Sequence, residues 1–317
     1  MFKPPLDPSS ILPWEDGFVH DYMNDPDINA SSLSLVIPIY NSGAFLEKTL
    51  RSLLLSDLRG VEIIVSDGGS NDSTHQILDH YSDLFSVVIS EPDKGQSDAI
   101  NKGFARATGE LYGWLNGDDI LLPYALNIVR NEFVTTSNTN FIVGNAFMTE
   151  KDFQPIHHFE FSTDKIKFEY LLDYASHHLI QPSVFFTRKA WEVAGELDID
   201  DHYAMDADLF LGIAKHFEGH HINRDLAYSV YHEDCKTRGK RAESITQLAL
   251  VQAKHGGFSE ARKTLDILVQ LFNDHQEISS NTIRVELNDI IGSRESLSTL
   301  QESCLKAMLS AELKERQ

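Results

Sequence analysis

The feature of the sequence that most constrains the fold is a repeated alternation of short apolar runs with amphipathic stretches. Four runs have the length of buried strands, namely LSLVIPIY from Leu33, VEIIVS from Val61, SVVIS from Ser86 and LYGWL from Leu111. Stretches with the apolar spacing of helices separate them. Because continuously apolar strands that alternate with helices form parallel sheets covered on both faces, the pattern predicts an α/β fold, a mostly parallel sheet flanked by helices.

Polar residues follow each of these four predicted strands. Ligands of such sheets bind beyond the carboxyl ends of the strands, so residues there are candidates for a binding site. The first strand leads into Tyr40 and Asn41, and the second leads into Asp67. Segment 91–94 follows the third strand, and segment 116–119 follows the fourth. The sequence therefore predicts one site at this edge of the sheet.

Composition divides the chain into three regions. Residues 1–31 are rich in Pro, Asp, Asn and Ser and are predicted to form an extended leader. Residues 32–240 carry the alternating pattern, whereas residues 241–317 have a polar, helical texture with few strand signals. Residues 248–272 resemble one tetratricopeptide-like helical hairpin with Gly257 at its turn. A plain helical appendage is the alternative, because stacked repeats need several copies.

The charge balance restricts the partners. The formal charge is −21, from 27 basic and 48 acidic side chains. Binding to nucleic acid or to an anionic lipid surface needs basic surface, so we expect no nucleic-acid partner. A bound anion is also unfavourable on such a chain unless a metal ion or backbone dipoles neutralise it.

The sequence carries no sign of export or membrane insertion. Its first residues lack a basic segment followed by an apolar run, and no stretch is long and apolar enough to span a bilayer. Cys235 and Cys304 lie far apart and are expected to be free thiols in a reducing compartment. We expect a cytoplasmic protein, with a peripheral contact to the inner membrane face or to another protein through the C-terminal helices left open.

The strongest local motif is WLNGDDILLP, residues 114–123. Asp118 and Asp119 are adjacent acids at the point where a buried strand opens into a loop. Two such carboxylates repel each other and lose hydration, and a divalent cation relieves both costs. Mg²⁺ and Mn²⁺ prefer oxygen ligands and keep positions open for phosphate oxygens. The alternative is that both acids make a turn and cap the helix near Pro123.

Two further segments follow the second and third strands. Asp67, in SDGGSNDST, can accept a hydrogen bond from the N–H of a pyrimidine base, or it can form an Asx-turn. In EPDKGQSDAINKG, residues 91–103, Lys94 and Lys102 are cations that can meet a diphosphate. Asp98 lies in the first turn of the next helix, where it can cap that helix or face a metal and a sugar.

The later part of the chain offers a candidate base and a candidate metal ligand. HYAMDADLFLGIAKHF, residues 202–217, places Asp206 and Asp208 at the start of an amphipathic helix. Either acid is favourable at a helix N-terminus, and Asp206 can alternatively deprotonate an acceptor hydroxyl. His232, in YHEDCKTRG, follows a strand-like run and is either structural or a ligand.

Taken in order, these segments resemble the family 2 glycosyltransferases of GT-A fold over about residues 33–240. VIPIYN resembles the opening nucleotide-binding strand, VEIIVSDGGSNDST the base-binding segment, and EPDKGQSDAINKG the diphosphate and sugar side. LNGDD resembles the acidic metal-binding motif, and HYAMDADLFL resembles the segment with the catalytic base. YHEDCKTRG resembles the loop whose histidine completes the metal shell.

The resemblance implies a role for each matched position. Asp118, Asp119 and His232 would hold Mg²⁺ or Mn²⁺, and Asp206 would be the catalytic base. The implied donor-binding residues are Pro38, Tyr40, Asn41, Asp67, Lys94, Asp98, Asn116 and Asp118.

Two positions depart from the family pattern. The acidic motif often opens with aspartate, whereas this chain has Asn116, which accepts a hydrogen bond but brings no charge. The residue before Asp206 is commonly glutamate and here is Met205, so Asp206 is the expected base and Asp208 a competitor.

The reaction implied by the resemblance is an inverting transfer of a sugar from a UDP-, dTDP- or GDP-linked donor. The acceptor would be a carbohydrate or a lipid-linked hydroxyl, in the assembly of a polysaccharide or glycoconjugate. Acceptor contacts are expected between about Phe147 and Gln181, with His177, His178 and Gln181 as candidates.

Two other functions stay open. One is a nucleotidyltransferase, against which the lack of a Gly-rich triphosphate loop near the start argues. The other is a non-catalytic scaffold that binds a nucleotide sugar and recruits a partner through its helical tail.

Overall fold

The computed structural model describes residues 4–12, 14–15, 31–136, 139–232 and 240–274. Within these ranges one sheet has nine strands in the order β3-β2-β1-β4-β8-β6-β9-β5, with β7 paired to β6. The strands are β1 (Leu33–Ile39), β2 (Val61–Asp67), β3 (Val87–Ser90), β4 (Leu111–Trp114), β5 (Ile120–Leu121), β6 (Phe141–Thr149), β7 (Pro155–Phe159), β8 (Val184–Thr187) and β9 (Gly219–Val230).

Helices connect and cover these strands. The helices in the described part are α1 (Leu46–Leu53), α2 (Thr74–His80), α3 (Gln96–Phe104), α4 (Ala125–Thr135), α5 (Phe168–Leu171), α6 (Tyr174–His177), α7 (Arg188–Ala194), α8 (Met205–Ala214), α9 (Arg241–Lys254) and α10 (Phe258–Asp274). Buried apolar residues form one cluster on each face of the sheet, centred on Leu35 and Leu50 on one side and on Trp114 and Phe210 on the other. The α/β fold class with flanking helices and C-terminal helices is confirmed.

The first four strands are parallel, as the sequence pattern predicts. In the ladder between β1 and β2, Ile39 lies opposite Asp67, and in the ladder between β2 and β3, Asp67 lies opposite Ser90. Trp114, the last residue of β4, pairs with Val36 of β1, so β4 ends slightly before the end of β1. The carboxyl ends of all four strands therefore meet at one edge, where the sequence places its polar residues.

The rest of the sheet is more mixed than the expected mostly parallel arrangement. Four of the eight described ladders are parallel and four are antiparallel. β6 and β7 are joined only by residues 150–154, a connection too short for a parallel crossover. After β4 the chain no longer alternates one strand with one helix, because β5 follows β4 and β7 follows β6 without a helix between them. Parallel pairing could therefore not be predicted for this part of the sheet.

The described part of the N-terminal leader lies against helix α1. The backbone N–H groups of Leu6 and Asp7 donate to the Glu47 carboxylate over 2.6 and 2.9 Å. Glu15 forms an ion pair with the buried guanidinium of Arg51. These contacts join the leader to the helix that follows the first strand.

Helices α9 and α10 pack against each other as a hairpin, with Gly257 in the connection between them. Ala261 is fully buried at their contact. None of the helices in the described ranges has the length and apolar character needed to cross a bilayer. Cys235 and Cys304 lie outside the described residues.

Candidate functional site

A cavity of about 460 Å³ lies beyond the carboxyl ends of the strands, and we name it the central cavity. Four of the predicted site residues line it, namely Asn116, Asp118, Asp119 and Asp206. Its wall also includes Tyr174 of α6, Tyr203 before α8, and Ser244 and Leu248 of α9. The structure thus joins an acidic pair that follows β4 to an acid of a helix that begins some 85 residues later.

Asp118 contacts His232 directly. The distance from His232 Nε2 to Asp118 Oδ2 is 3.0 Å, although 114 residues separate the two in sequence. The pairing of β5 with β9 brings them together, because Ile120 lies opposite Tyr228. The imidazole is buried and stacks on the Phe45 ring with centroids 4.2 Å apart, so its plane is fixed.

Asp119 points into the protein. Its Oδ1 accepts a hydrogen bond from the N–H of Val230 over 3.1 Å, and its Oδ2 accepts one from Asn116 Nδ2 over 3.0 Å. Only 4% of Asp119 is exposed. Burial, and next the charge of Asp118, raise the pKa of Asp119 well above its usual range. Neither acid caps helix α4, whose N-cap residue is Tyr124 with no side-chain cap.

Asn116 is the centre of an amide network. Its Nδ2 donates to Asp119 Oδ2 and, over 3.3 Å, to Gln181 Oε1. Its Oδ1 accepts from Gln96 Nε2 over 2.8 Å. Gln181 Nε2 in turn donates to the Trp114 carbonyl over 2.9 Å. An aspartate at position 116 would lose the donor that faces Asp119, so the asparagine suits this buried acid.

Asp206 stands at the first turn of α8 and lines the central cavity. Its Oδ1 accepts the N–H of Ala207 over 2.8 Å. Burial, with a smaller contribution from the charge of Asp201, raises the pKa of Asp206 to about 6. A carboxylate with that pKa is ionised at neutral pH and is a stronger proton acceptor than an ordinary aspartate.

Asp208 has a different environment from Asp206. Its carboxylate binds Lys254 Nζ over 2.6 Å and His255 Nε2 over 2.7 Å. Burial by itself opposes ionisation, but these two partners outweigh it and lower the pKa of Asp208. Asp208 does not line the central cavity. Its role in the structure is to join α8 to the end of α9.

A second contact holds the C-terminal hairpin to the loop before α8. Gln247 of α9 accepts hydrogen bonds from the N–H groups of His202 and Tyr203 through one oxygen, over 3.0 and 2.9 Å. Gln247 is buried. Together with Ser244 and Leu248 in the cavity wall, this contact makes α9 a part of the site.

We expect Asp208→Asn to lower the free energy of unfolding by about 2 kcal/mol. Breaking a fully buried ion pair costs about 3–5 kcal/mol, and partial exposure of the lysine reduces that figure. Lys254 is 35% exposed. Because the folded pKa of Asp208 is lowered, its stabilisation is fully present above the unfolded pKa of about 4 and is lost as pH falls from there through the lower folded pKa. Urea denaturation at pH 7 measures the difference in stability between the wild type and the variant, and this difference should narrow progressively as the pH is lowered below about 4. A variant as stable as the wild type at pH 7 would contradict the ion pair.

The residues that follow β1 and β2 form a connected turn. Asp67 Oδ1 accepts from the N–H and the hydroxyl of Ser70, and its Oδ2 accepts from the Ser90 hydroxyl over 2.8 Å. The backbone bond reaches the residue three positions on, whereas an Asx-turn uses the residue two positions on, so Asp67 closes a wider local turn. Asn41 has a positive φ of 50°, and its Oδ1 accepts the N–H of Asn71. Tyr40 is 62% exposed, so its ring is accessible at this edge.

The segment after β3 is organised by Asp98. Its Oδ2 accepts the N–H of Lys94 over 3.0 Å and contacts Lys102 Nζ at 3.2 Å. Burial opposes ionisation, but the two lysines lower the pKa of Asp98. Lys102 also pairs with Glu91 at 3.1 Å. Asp98 therefore binds the backbone just before α3, and Lys102 is shared between two carboxylates.

The remaining predicted donor residues lie outside the wall of the central cavity. They are Pro38, Tyr40, Asn41, Asp67, Lys94 and Asp98. Pro38 lies within β1 opposite Ser66.

The atoms that Asp118 and His232 present decide whether these residues suit a metal cation. They bring a carboxylate oxygen and an imidazole nitrogen to within 3.0 Å of each other. In the part of the chain that the structure describes, no three His, Cys, Asp or Glu side chains form a group that could hold a metal ion. Mg²⁺ is commonly bound through one or two carboxylates together with substrate phosphates. Asp118 and His232 therefore fit a cation shared with a diphosphate, and not one enclosed by protein alone.

Several residues of the cavity wall have no counterpart among the predicted site residues. Gln96 belongs to the motif EPDKGQSDAINKG and is the first residue of α3. It directly follows Gly95, the N-cap residue of that helix, which has a positive φ of 117°. Tyr203 likewise belongs to the quoted segment of residues 202–217. Tyr174 and the α9 residues carry no local signal, because only the packing of distant helices brings them to the site. His178 and Gln181, proposed as acceptor contacts, do line the central cavity.

Residues 34–193 match the family described as Glycosyl transferase family 2. This range is about half of the 317 residues and contains Asp67, Asp98 and the acidic pair. Asp206 and His232 lie beyond the matched range.

Three known proteins illustrate the similarity. Chondroitin synthase of Pasteurella multocida (strain Pm70) is 26% identical over 234 residues, which are 71% of this chain but 22% of that protein. The chain thus spans only about a fifth of the length of this relative. The structure of S. aureus TarS 1-349 in complex with UDP superposes with a TM-score of 0.59 at 14% identity, covering 90% of this chain and 92% of that one. Mannosyltransferase PcManGT from Pyrobaculum calidifontis, in complex with GDP-Man and Mn²⁺, gives a TM-score of 0.54 at 15% identity. The superposition covers 93% of this chain and 92% of that one. At these identities the structural likeness shows the fold.

Proposed function

Because the chain belongs to glycosyl transferase family 2, we propose that its central cavity transfers a sugar from a nucleoside-diphosphate donor to an acceptor hydroxyl, with a divalent cation and with inversion at the anomeric carbon. The observation that carries the proposal is the convergence of Asp118, Asp119 and Asp206 on one cavity at the carboxyl edge of the sheet. The anomeric configuration of the product, read by NMR, tests the inversion.

The donor side would lie at the ends of β1 to β4. Asp67 and Asn41 are held in a rigid turn where a base can approach, and Tyr40 offers an exposed ring to stack on it. A structural neighbour binds UDP and another binds GDP-Man, which supports a nucleotide-sugar donor linked to UDP, dTDP or GDP. Lys94 and Asp98 would lie on the side of the diphosphate and the sugar.

Asp118 and His232 would hold Mg²⁺ or Mn²⁺ against the diphosphate. When bound, the cation supplies positive charge that stabilises the leaving group. The resemblance also implies Asp119 as a ligand, but its two oxygens already accept hydrogen bonds from Val230 and Asn116. We therefore assign Asp119 to holding the turn on which Asp118 stands. Phe45 fixes the imidazole plane. The Mn²⁺ in the neighbouring mannosyltransferase supports the same choice of ion.

Asp206 would take the proton from the acceptor hydroxyl as that oxygen attacks the anomeric carbon. Its pKa of about 6 leaves it ionised at pH 7 to 8. Tyr174 and Met205 are buried residues of the same cavity wall. Gln247 and the ion pair of Asp208 keep α8 and its preceding loop in place. The similarity to a chondroitin synthase supports a carbohydrate acceptor and a role in polysaccharide assembly.

A thermal-shift screen with UDP, GDP, dTDP and CDP, each with Mn²⁺ or EDTA, tests this function. A nucleotide present at about 100 times its Kd stabilises the folded state by about 2.7 kcal/mol. We expect one nucleotide to raise Tm in Mn²⁺ and to lose most of that rise in EDTA. A rise that is equal in EDTA contradicts the role of the cation, and no rise with any nucleotide contradicts the donor class.

A further inference from the structure

A second cavity of about 290 Å³ lies beside the central cavity. We name it the histidine cavity, because His157, His158, His177 and His178 line it. Its wall comes from β7 and from helices α5 and α6, outside the strand ends that carry the acidic pair. Its volume is close to the lower end of the range for ligand sites.

The two cavities share one wall residue, His178. Next to it, Tyr174, Leu179 and Gln181 belong to the central cavity, while His177 and Tyr170 belong to the histidine cavity. The cavities thus adjoin at His178, and a chain-like ligand that passes this residue would extend from one into the other. A small molecule that fills the central cavity alone would leave the histidine cavity unused.

The wall of the histidine cavity is aromatic and polar together. Tyr170 stacks on His177 with centroids 4.1 Å apart, and Phe159 packs against His178 at 5.1 Å. Burial, with the neighbouring His157 and His177, lowers the pKa of His178, so this ring is neutral at pH 7 and both donates and accepts hydrogen bonds.

Sugar units suit such a wall. One face of a pyranose carries C–H groups that pack on flat rings, and its hydroxyls can pair with imidazole nitrogens and the tyrosine hydroxyl. Lys165 and Glu160 at the rim add one group of each charge. A lipid tail would meet too many polar atoms here, and a metal ion finds no group of three ligands among the described residues.

We propose that the histidine cavity binds a sugar unit of the acceptor glycan, one or more units away from the hydroxyl that reacts in the central cavity. This inference rests on the proposed transferase function and identifies the acceptor as an oligosaccharide or polysaccharide chain, not a single sugar.

Titration calorimetry on the full chain without nucleotide tests the proposal. The probes are maltohexaose, chitohexaose and a hyaluronan hexasaccharide, each compared with glucose, N-acetylglucosamine and glucuronic acid. We expect at least one hexasaccharide to bind ten-fold or more tightly than its monosaccharide. Preference for the neutral or the acidic probe then defines the charge of the glycan.

Two variants and one matched control locate the binding. Tyr170→Ala and His177→Ala should each weaken hexasaccharide binding by about ten-fold, since each removes one ring of the stacked pair. His216→Ala removes an exposed histidine that lines neither cavity, and it should bind as the wild type does. Thermal melts of each variant establish that it is folded.

The outcomes separate this inference from the proposed function. The metal-dependent nucleotide shift, measured on the same proteins, should persist in Tyr170→Ala and His177→Ala. If the nucleotide shift persists but no hexasaccharide binds, the glycan site is overturned and the transferase function is not. The same conclusion follows if the shift persists and both variants bind the hexasaccharide as the wild type does. Loss of the shift in the wild type, with hexasaccharide binding that still depends on Tyr170, overturns the transferase function and leaves a glycan-binding site.

Discussion

Asp206→Asn is expected to lower kcat by about 10²- to 10⁴-fold, the contribution of a positioned general base. Asparagine keeps the shape of the side chain and its contact with the Ala207 N–H, but it cannot take a proton. Asp206 shares the cavity with Asp118 and Asp119 but stands on a separate element, helix α8, and is not an assigned cation ligand, so the affinity for nucleotide and cation should stay within about two-fold. Turnover by nucleotide release and affinity by calorimetry measure the two effects separately.

The pH dependence provides a second readout of the same residue. Burial raises the pKa of Asp206 to about 6, and a base acts only when it is deprotonated. In the wild type, kcat/KM should therefore rise with pH through about 6 and level off above it. In Asp206→Asn this limb should be absent from the residual rate.

Asp208→Asn is the matched control, because it makes the same chemical change two residues along the same helix. Assayed well below its lowered Tm, it should keep kcat within an order of magnitude. Asp206→Asn should instead have a higher Tm than the wild type, because burial makes the ionised carboxylate costly at neutral pH. Normal turnover in Asp206→Asn, or an equal loss in both variants, would rule out Asp206 as the base.

Asp118→Asn is expected to weaken Mn²⁺-dependent nucleotide binding by about 100-fold, at the upper end of what supporting residues of metal sites contribute. Asp118 is the acid of the pair that is partly exposed, with 34% of its side chain accessible, and it contacts His232. Asp119 is less informative to mutate, since its loss would remove the hydrogen bonds to Val230 and Asn116 that hold the turn and would destabilise the turn itself. Calorimetry with the nucleotide selected by the thermal-shift screen, in Mn²⁺ and in EDTA, measures the effect.

Glu132→Gln provides the control for this substitution. Glu132 pairs with His220 over 2.8 Å, as Asp118 pairs with His232, but it lines neither cavity. It should bind nucleotide and Mn²⁺ as the wild type does. Metal-independent binding that is equally tight in Asp118→Asn and the wild type would contradict the assigned cation ligands.

The sequence was sufficient to predict the first half of the sheet. The apolar runs from Leu33 to Leu115 appear as β1 to β4, within one or two residues of their expected bounds. The helical hairpin around Gly257 is also present. These predictions succeed because strand and helix patterns are local, and because the parallel order follows from the alternation of the two. After Ile120 the strands β6 and β7 follow each other without a helix, and β8 pairs antiparallel with both of its neighbours, so the pairing there was not predictable in this way.

The site residues likewise divide into those that local sequence identified and those that only tertiary contacts assigned. Asp118, Asp119 and Asp206 were identifiable as acids at the ends of elements, and all three reach the central cavity. Local pattern could not choose between Asp206 and Asp208, since both lie in the first turn of one helix. The choice depends on Lys254 and His255, which reach Asp208 from a helix that begins at Arg241.

What the sequence by itself determined is therefore the α/β class, the edge of the sheet that carries the site, and the kinds of side chain found there. Each of these follows from short-range periodicity and from the rule that parallel strands end together. Only the tertiary structure decided which acid faces the cavity, that His232 meets Asp118, and that α9 and the histidine cavity adjoin the site. Those contacts join residues tens to more than a hundred positions apart, and the packing of the whole chain sets them.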